Sequence, residues 1–388
     1  MESKRLMKIG ITCYPTYGGS GVVATELGIE LAQRGHQVHF IAYSQPVRLI
    51  EPHPNIHFHE VSVSQYPLFL YPPYDLALAT RMAEVAEIYS LDLLHVHYAI
   101  PHSVSAYLAK QMLATGRNGA RRNLPVVTTL HGTDITLVGL DRSYLPITRF
   151  SIEQSDGVTA ISNYLRDRTL REFDTRNEIK VIYNFVNCDL YRRDTKKADD
   201  RALYADANER ILVHLSNFRP VKRVQDVIEV FDRVNREIPS RLLMIGDGPD
   251  RSTAEWLVKQ KRLRDRVHFL GKQDEVEAKL AVSDLMLMPS ELESFGLAAL
   301  EGMACKVPSI ATNVGGVPEL IDHGKTGYLT EVGDVKTMAK YAVELLSDES
   351  KLRTMGELAR FEAQSRFCAS SIIGHYEDFY ARVLERSL

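Results

Sequence analysis

Two glutamates, Glu293 and Glu301, lie eight positions apart around a glycine-containing turn that opens an apolar helix. The apolar run 285–288 predicts a buried strand, and Ser294 is predicted to cap the helix that follows. Backbone N–H groups at such a helix start can bind an anion; here they belong to Phe295, Gly296 and Leu297. Glu301 can accept hydrogen bonds from both hydroxyls of a ribose. The segment indicates a site for a diphosphate sugar, while an ordinary strand, loop and helix with two solvated glutamates explains it equally well.

A basic segment follows an earlier predicted strand of the same half. It places Asn217, Arg219 and Lys222 at the carboxyl end of the sheet, where ligands of parallel sheets bind. Lys222 and Arg219 can neutralise a diphosphate, although a solvated helix start explains any one of these residues alone. Two later glycine turns allow the backbone to approach a flat base. Their candidate residues are Gly246, Lys272 and Gln273.

The first half begins with a strand that ends in a glycine-rich turn. Gly18 and Gly19 let the backbone come close to a ligand, which is typical of a loop between strand and helix that binds a phosphate or a sugar. The turn lacks the G-x-G-x-x-G pattern, and no acidic residue ends the second strand, so a nicotinamide-dependent oxidoreductase is disfavoured.

Histidines are the other polar feature of the first half. His131 ends a strand and can contact a developing cation through its neutral ring or its carbonyl, although a core histidine is a serious alternative. His95, His97 and His102 suggest a metal, but no carboxylate stands at ligand spacing and strand alternation puts His95 and His97 on one face. We therefore expect no metal site.

The composition indicates a globular protein of two domains. The chain has 388 residues, of which 45% are apolar and 25% charged, and a net charge of −3 argues against a nucleic-acid surface. Arg117, Arg121 and Arg122 are interpreted as a solvated turn. No stretch of membrane-spanning length or signal-peptide core is present, which predicts a cytoplasmic protein without a membrane role. The four cysteines lie far apart, which predicts free thiols.

Short strands alternate with helical segments in two series, which predicts an α/β fold with two doubly wound parallel sheets. The strands are predicted at residues 9–12, 38–42, 93–96, 126–130 and 158–161, and then at 211–215, 242–245, 267–270, 285–288 and 309–311. A polar stretch, 184–208, separates the two series. The predicted domains are 1–185 and 186–370, and a C-terminal helix, 371–388, packs back across the seam.

The order of the motifs GGSG, HGTD, SNFRPVKR, GDGP, LGKQD and ESFGLAALE resembles the retaining glycosyltransferases of family 4. The resemblance implies the GT-B fold, in which two Rossmann-like domains face a cleft, the N-terminal one binding the acceptor and the C-terminal one the UDP-sugar. It further implies that Glu301 holds the ribose, Lys222 the diphosphate and Glu293 the donor sugar, with His131 beside the reacting centre. Where the family has an arginine five residues before the lysine, this chain has Asn217, so either Asn217 or Arg219 is left to contact the diphosphate.

Segments such as HVHYAIPH and VTTLHGTDIT are similar to the members of this family that glycosylate L-malate. This similarity implies transfer of N-acetylglucosamine from UDP-GlcNAc to the hydroxyl of L-malate with retention of the α configuration, the first step of bacillithiol biosynthesis, without metal or other cofactor. The implied malate pocket contains Ser20, Tyr98, Arg149 and either Thr129 or Thr128, with Thr129 preferred. A homodimer and a homotetramer both stay open.

Two other functions are compatible with the architecture. A family 4 enzyme with another acceptor differs only in the pocket around Arg149, and a silent nucleotide-sugar sensor would have lost the charged residues that are present here. Because no carboxylate stands out as a nucleophile, front-face attack, in which the hydroxyl enters on the side that UDP leaves, is favoured over double displacement on Glu293.

Overall fold

The computed structural model describes residues 5–49, 51–64, 66–115, 122–193 and 198–387. Arg117 and Arg121, together with residues 194–197 of the polar stretch, lie outside this range. The chain divides into two compact units. One contains the residues up to Tyr183 and those from Ile372 onward, and the other is Asn184–Ser371.

The first unit is built on a seven-stranded sheet in which every neighbouring pair is parallel. Its strands are β1 (Lys8–Thr12), β2 (Gln37–Ala42), β3 (Ile56–Glu60), β4 (Leu93–His97), β5 (Val126–Leu130), β6 (Gly157–Ala160) and β7 (Ile179–Val181). The spatial order is β3-β2-β1-β4-β5-β6-β7, and all residues of β4, β5 and β6 are buried. Burial on both faces is the expected state of a sheet covered by helices on either side.

Most connections of the first unit are helical, although the described residues between β2 and β3 contain no helix. The helices are α1 (Gly19–Gln33), α2 (Tyr74–Tyr89), α3 (Val104–Thr115), α4 (Thr133–Thr136), α5 (Leu145–Glu153) and α6 (Asn163–Phe173), with an irregular turn at Ala99–Ser103 in which Ile100 is extended. The final helix, α15 (Ala369–Ser387), begins in the second unit, and its residues from Ile372 belong to the first.

The second unit contains six parallel strands in the order β10-β9-β8-β11-β12-β13. They are β8 (Arg210–Leu215), β9 (Ser240–Ile245), β10 (Val267–Gly271), β11 (Leu285–Met288), β12 (Ser309–Thr312) and β13 (Gly327–Thr330). The helices are α7 (Ala198–Arg201), α8 (Val224–Glu237), α9 (Arg251–Gln260), α10 (Val276–Ala281), α11 (Leu297–Ala304), α12 (Val317–Leu320), α13 (Val335–Ser347) and α14 (Glu349–Arg366), with a 3-10 turn at Pro220–Lys222. Two doubly wound sheets are therefore present, as the alternation predicted.

The ten strands predicted from the sequence are all present, with ends within two residues of those predicted. The sequence analysis missed β3, β7 and β13, each of which lies at an edge of its sheet. Edge strands are less enclosed than central ones, so their sequences need no continuous apolar run. In β3, IHFHE, only one of five residues is buried.

The predicted cap at Ser294 is wrong. Helix α11 begins at Leu297, its N-cap is Gly296, and no side chain bonds the cap. Gly296 has a φ of +98°, a left-handed conformation that glycine adopts without steric cost. The chain therefore enters the helix through a glycine turn, and Ser294 stands two residues before the cap.

Gly246 is required by close backbone packing at the end of β9. It has a φ of +118°, and an added Cβ would lie 1.7 Å from the carbonyl oxygen of Ser216. Gly324 also has a positive φ, +80°, but an added Cβ there would have no neighbour within 4 Å. We expect Gly324→Ala to lower the free energy of unfolding by about 1 kcal/mol, the cost of the left-handed backbone alone. Gly246→Ala should cost about 2 kcal/mol more, because the backbone must also move.

Urea unfolding of both variants beside the wild type measures the difference. Equal losses in the two variants would contradict the packing argument for Gly246.

Candidate active site

Lys222 and Glu293 form an ion pair in the second unit. Lys222 Nζ donates to Glu293 Oε1 at 2.6 Å, and the Ser290 hydroxyl donates to the same oxygen at 2.8 Å. The 3-10 turn after β8 carries the lysine, and the loop after β11 carries the serine and the glutamate. β8 and β11 are parallel neighbours, so their carboxyl ends bring the two loops together. The pair keeps part of its surface exposed, 21% of the lysine side chain and 12% of the glutamate.

Glu301 lies in α11 and is buried. Its Oε1 accepts a hydrogen bond of 2.8 Å from the hydroxyl of Tyr191, which is also buried. The guanidinium of Arg360 in α14 fixes this arrangement, because it donates to the carbonyls of Tyr191 (2.9 Å), Cys188 (3.3 Å) and Ala304. The carboxylate is thus held by a segment more than 100 residues away in sequence.

The N-terminus of α11 points its backbone N–H groups away from the helix, as every helix start does. Gly296 and Leu297 stand there, directly after Phe295. The Phe295 ring is buried and packs edge-on against Phe367, with 5.6 Å between ring centroids. The turn is also closed from the other side, because Gly316 N–H donates to the Glu293 carbonyl at 3.0 Å.

The remaining predicted nucleotide residues lie at the ends of β8, β9 and β10. Asn217 and Arg219 are exposed, and Arg219 forms no ion pair with any residue that the structure describes. Lys272 is exposed, whereas the Gln273 amide donates to the Leu270 carbonyl at 2.6 Å. One unpaired guanidinium thus stands in the same loop as the paired lysine.

Tyr98, in the first unit, has a strained backbone conformation. Its φ is +93°, which a non-glycine residue keeps only where its surroundings enforce it. The Tyr98 N–H donates to the Thr129 carbonyl at 2.9 Å, and the Ser20 hydroxyl donates to the Tyr98 phenol at 3.0 Å. The rings of Tyr14 and His131 lie 5.3 and 5.5 Å from that of Tyr98. Ser20 and Tyr98, two predicted acceptor residues, are therefore in contact, and His131 lies beside them.

Asp134 organises the turn that carries His131. Its buried carboxylate accepts hydrogen bonds from the backbone N–H groups of His131 (3.2 Å), Gly132 (2.8 Å) and Ala99 (3.0 Å). Burial raises the pKa of Asp134 to about 6, although these hydrogen bonds oppose the shift. The carboxylate therefore positions the loop after β5 against the turn after β4.

The histidines of this region form a chain of neutral rings. His97 Nδ1 and His131 Nε2 are 2.8 Å apart, so one of these nitrogens donates to the other. His95 contacts the Thr129 hydroxyl and the Tyr380 phenol, each at 2.7 Å. Burial lowers the pKa of His95 and of His131 to about 3 and that of His102 to about 4. His95 and His97 lie on one face of β4, as strand alternation predicted, with ring centroids 4.4 Å apart.

The other predicted first-unit residues are less closely grouped. The Thr129 hydroxyl is bonded to His95 and to Thr159 within the sheet, and the Thr128 hydroxyl contacts Ser103 and Ser155. Arg149 on α5 pairs with Glu153 at 3.1 Å and donates to the Asp174 carbonyl at 3.0 Å, leaving 41% of its side chain exposed. Gly18 caps α1, and Gly19 is its first residue.

Sequence reasoning missed several contributors to the site. Ser290 stands three residues before Glu293 and could have been found from that spacing. Tyr191 has no local signal, because it meets Glu301 only through the fold. The role of Asp134 was not predicted either, although an aspartate just after the turn at Gly132 is typical of a loop cap.

Both parts of the chain match glycosyltransferase families. Residues 17–190 match glycosyltransferase family 4, and residues 195–361 match the glycosyl transferases group 1. The N-acetyl-alpha-D-glucosaminyl L-malate synthase of Bacillus anthracis is 52% identical over 97% of each chain. The chain belongs to the family 4 glycosyltransferases.

Solved structures identify the fold as GT-B. HepE from Anabaena, in complex with UDP and glucose, superposes with a TM-score of 0.80 at 22% identity, over 96% of this chain and 98% of that one. Sucrose-phosphate synthase from Thermosynechococcus elongatus gives a TM-score of 0.78 at 22% identity, over 98% and 100%. This glycosyltransferase therefore has the predicted architecture of two Rossmann-like domains.

Two features are absent from the part of the chain that the structure describes. No group of three or more histidine, cysteine, aspartate or glutamate side chains is arranged to hold a metal ion. No helix within that part of the chain is both long and apolar enough to span a bilayer.

The buried neutral histidines make stability depend on pH. Below pH 6.5 the unfolded chain binds protons at His95, His102 and His131, whereas the folded protein does not until about pH 3 to 4. The stability is therefore full above pH 6.5 and decreases as the pH falls, by about 2 kcal/mol per histidine at pH 5. Asp134, whose folded pKa of about 6 lies above its usual 3.8, changes stability in the opposite direction between these values.

Replacing His102 by glutamine should make the loss of unfolding free energy between pH 7.5 and pH 5.0 about 2 kcal/mol smaller than in the wild type. Urea titrations at the two pH values give the numbers. His375→Gln, at an exposed position, is the matched control. A pH dependence unchanged in His102→Gln would show that His102 is not held neutral.

Proposed function

We propose that this enzyme transfers N-acetylglucosamine from UDP-GlcNAc to the hydroxyl of L-malate with retention of the α configuration, the first step of bacillithiol biosynthesis. The observation that carries the proposal is the 52% identity, over nearly the whole chain, with the malate synthase of Bacillus anthracis. The pairing of Lys222 with Glu293 beside the N-terminus of α11 supplies the charges that such a reaction needs.

The donor site belongs to the second unit in this proposal. Glu301, oriented by Tyr191, accepts the two ribose hydroxyls, while the N-terminus of α11, Lys222 and Arg219 stabilise the diphosphate. Asn217 is the alternative phosphate contact at the position where the family has arginine. The base of the nucleotide lies against the two turns that contain Gly246 and Gln273. Glu293, already bonded to Lys222, contacts the transferred sugar.

The acceptor site belongs to the first unit. Ser20 and Tyr98 form one contacting pair of polar groups, and Arg149 offers a planar fork that suits a malate carboxylate. The neutral ring or the carbonyl of His131 faces the charge that develops at the anomeric carbon. Thr129 contributes through the hydrogen bond from the Tyr98 N–H to its carbonyl, since its hydroxyl is bonded within the sheet.

Front-face attack accounts best for retention. The malate hydroxyl attacks the anomeric carbon as the bond to the diphosphate breaks, and the departing phosphate takes the hydroxyl proton. The enzyme then contributes positioning and charge stabilisation, which Lys222 and the helix N-terminus supply without a metal ion. We also propose that the enzyme is cytoplasmic and that it assembles as a homodimer or a homotetramer.

Purified protein should release UDP rapidly only when UDP-GlcNAc and L-malate are both present, because the donor site and the acceptor site each bind one of the two reactants. A coupled UDP assay with mass spectrometry of the product measures this, and excess chelator should leave the rate unchanged. D-malate and succinate, the latter without a hydroxyl, are the matched controls. UDP release with a sugar acceptor but not with L-malate would favour the second candidate, a family 4 enzyme with another acceptor.

The two glutamates should have separable roles. Glu301→Gln keeps the shape but weakens an acceptor of the ribose hydroxyls, so we expect UDP to bind about 10-fold more weakly. Glu293→Gln should leave UDP affinity within about 3-fold of the wild type and lower kcat, since it alters an interaction with the sugar that strengthens in the transition state.

Calorimetry of UDP with each variant, beside steady-state kinetics, separates the two effects. Glu291→Gln, in the same loop, is the control. Equal losses of UDP affinity in Glu293→Gln and Glu301→Gln would show that the pair acts as one nucleotide clamp.

A further inference from the structure

Two of the four cysteines meet where the chain passes between its units. The chain leaves the first unit after Tyr183 and returns to it at Ile372. Cys188 lies just after the first of these points, and Cys368 lies just before the second. Both residues belong to the second unit, so their contact can be described within that unit.

The backbone holds the two cysteine segments side by side. Val186 and Cys368 form a parallel bridge, in which Val186 N–H donates to the Phe367 carbonyl and Ala369 N–H to the Val186 carbonyl, each at 3.0 Å. The side chains interact as well: the Cys188 thiol donates to the Val186 carbonyl at 3.8 Å, and the Cys188 and Cys368 sulfurs lie close enough to shift each other's pKa. Two free thiols are thus placed next to each other by main-chain bonds on both sides.

The two thiols differ in environment as the two members of a redox pair do. Cys368 is partly exposed and directly precedes the 19-residue helix α15, whose N-terminus favours a thiolate. The hydrogen bond from Cys188 and those from Ser370 lower the pKa of Cys368 to about 5. Cys188 is buried, and its pKa is raised by its hydrogen bond to Cys368 and by desolvation.

Among the described residues, the other two thiols have no such partner. Cys13 and Cys305 are buried, and desolvation raises the pKa of each to about 12. Structural thiols of this kind are inert towards oxidants. They serve as internal references for the reactivity of the pair.

We propose that Cys188 and Cys368 are a reversible redox site that a hydroperoxide oxidises to a disulfide. The Cys368 thiolate attacks a peroxide oxygen, so that an S–O bond forms, the O–O bond breaks, and the departing hydroxide takes a proton to become water. The sulfur of Cys188 then attacks the sulfenic acid of Cys368. The S–S bond forms as the S–O bond breaks, and a second water leaves with the Cys188 proton. Two thiols lose two electrons, and hydrogen peroxide becomes two molecules of water.

The site is connected to the residues assigned to UDP. Three residues after Cys188, Tyr191 donates to Glu301, and the residue before Cys368, Phe367, packs against Phe295. Arg360 donates to the carbonyls of both Cys188 and Tyr191. A disulfide draws the two sulfurs to bonding distance and so displaces both segments. Oxidation should therefore weaken UDP binding about 5-fold or more, a consequence that rests on the proposed function.

The test treats the full-length protein with hydrogen peroxide and counts thiols after denaturation. The four thiols of the wild type should fall to two and return to four with dithiothreitol. Peptide mapping without reduction should find Cys188 joined to Cys368. Cys305→Ser, the matched control, should form the same disulfide. Cys188→Ser should instead leave Cys368 as a sulfenic acid that a cyclic dione traps.

Peptide mapping of the wild type decides the proposal even if a variant fails to fold. Four thiols remaining after peroxide, or a disulfide that involves Cys13 or Cys305, would overturn it. Calorimetry of UDP with the oxidised and the reduced protein tests the connection. Equal UDP affinities of the oxidised and the reduced protein would overturn the proposed effect of oxidation on UDP binding. A reduced protein that does not bind UDP at all would count against the proposed function, and peptide mapping alone would then decide whether the disulfide forms.

Discussion

Parallel pairing of every strand is the constraint on which the rest of this molecule depends. A parallel pair cannot be closed by a tight turn, so a longer connection must return the chain along the sheet, here in most cases as a helix. All carboxyl ends of the strands then lie along one edge of each sheet, where ligands of such folds bind. Lys222 after β8 and Glu293 after β11 are 71 residues apart in sequence but meet at this edge, because β8 and β11 are neighbours.

The sequence predicts those features that depend on burial or on steric limits within a short segment of the chain. Central strands are enclosed on both faces, so their apolar runs are continuous and the sequence predicts all of them, whereas it misses three of the four edge strands, β3, β7 and β13. Glu293 and Glu301 were recognised because both belong to one short segment. Tyr191 has no local signal in the sequence, because its contact with Glu301 depends on how the segment that contains Tyr191 packs against α14. The cap of α11 was placed at Ser294 because hydroxyl caps are common, but a glycine in the left-handed region can begin a helix without one.

The polar interior of the first unit consists mainly of neutral groups, whereas the sheet edge of the second unit carries charged groups. Around β4 and β5 the buried histidine rings are neutral, because the desolvation free energy of a buried imidazolium is larger than the stabilisation that the surrounding groups provide. Asp134 brings a carboxyl group to the carboxyl ends of these strands, where three backbone N–H groups donate to it. A neutral cluster of this kind lies against Tyr98 and its unusual backbone conformation. It suits the proposed acceptor site, where a dianionic hydroxy acid would bind without further buried negative charge.

The ion pair of Lys222 with Glu293 also bears on how the sugar is transferred. A carboxylate that acts as a nucleophile must offer a lone pair to the anomeric carbon, but one oxygen of Glu293 already accepts bonds of 2.6 Å from a lysine and 2.8 Å from a serine. Both donors withdraw charge from the carboxylate and lower its nucleophilicity. In the proposed donor site this lysine would gain a second anion when a diphosphate binds, and its charge would then stabilise the leaving group. For this reason we propose attack by the acceptor hydroxyl itself rather than a covalent intermediate on Glu293.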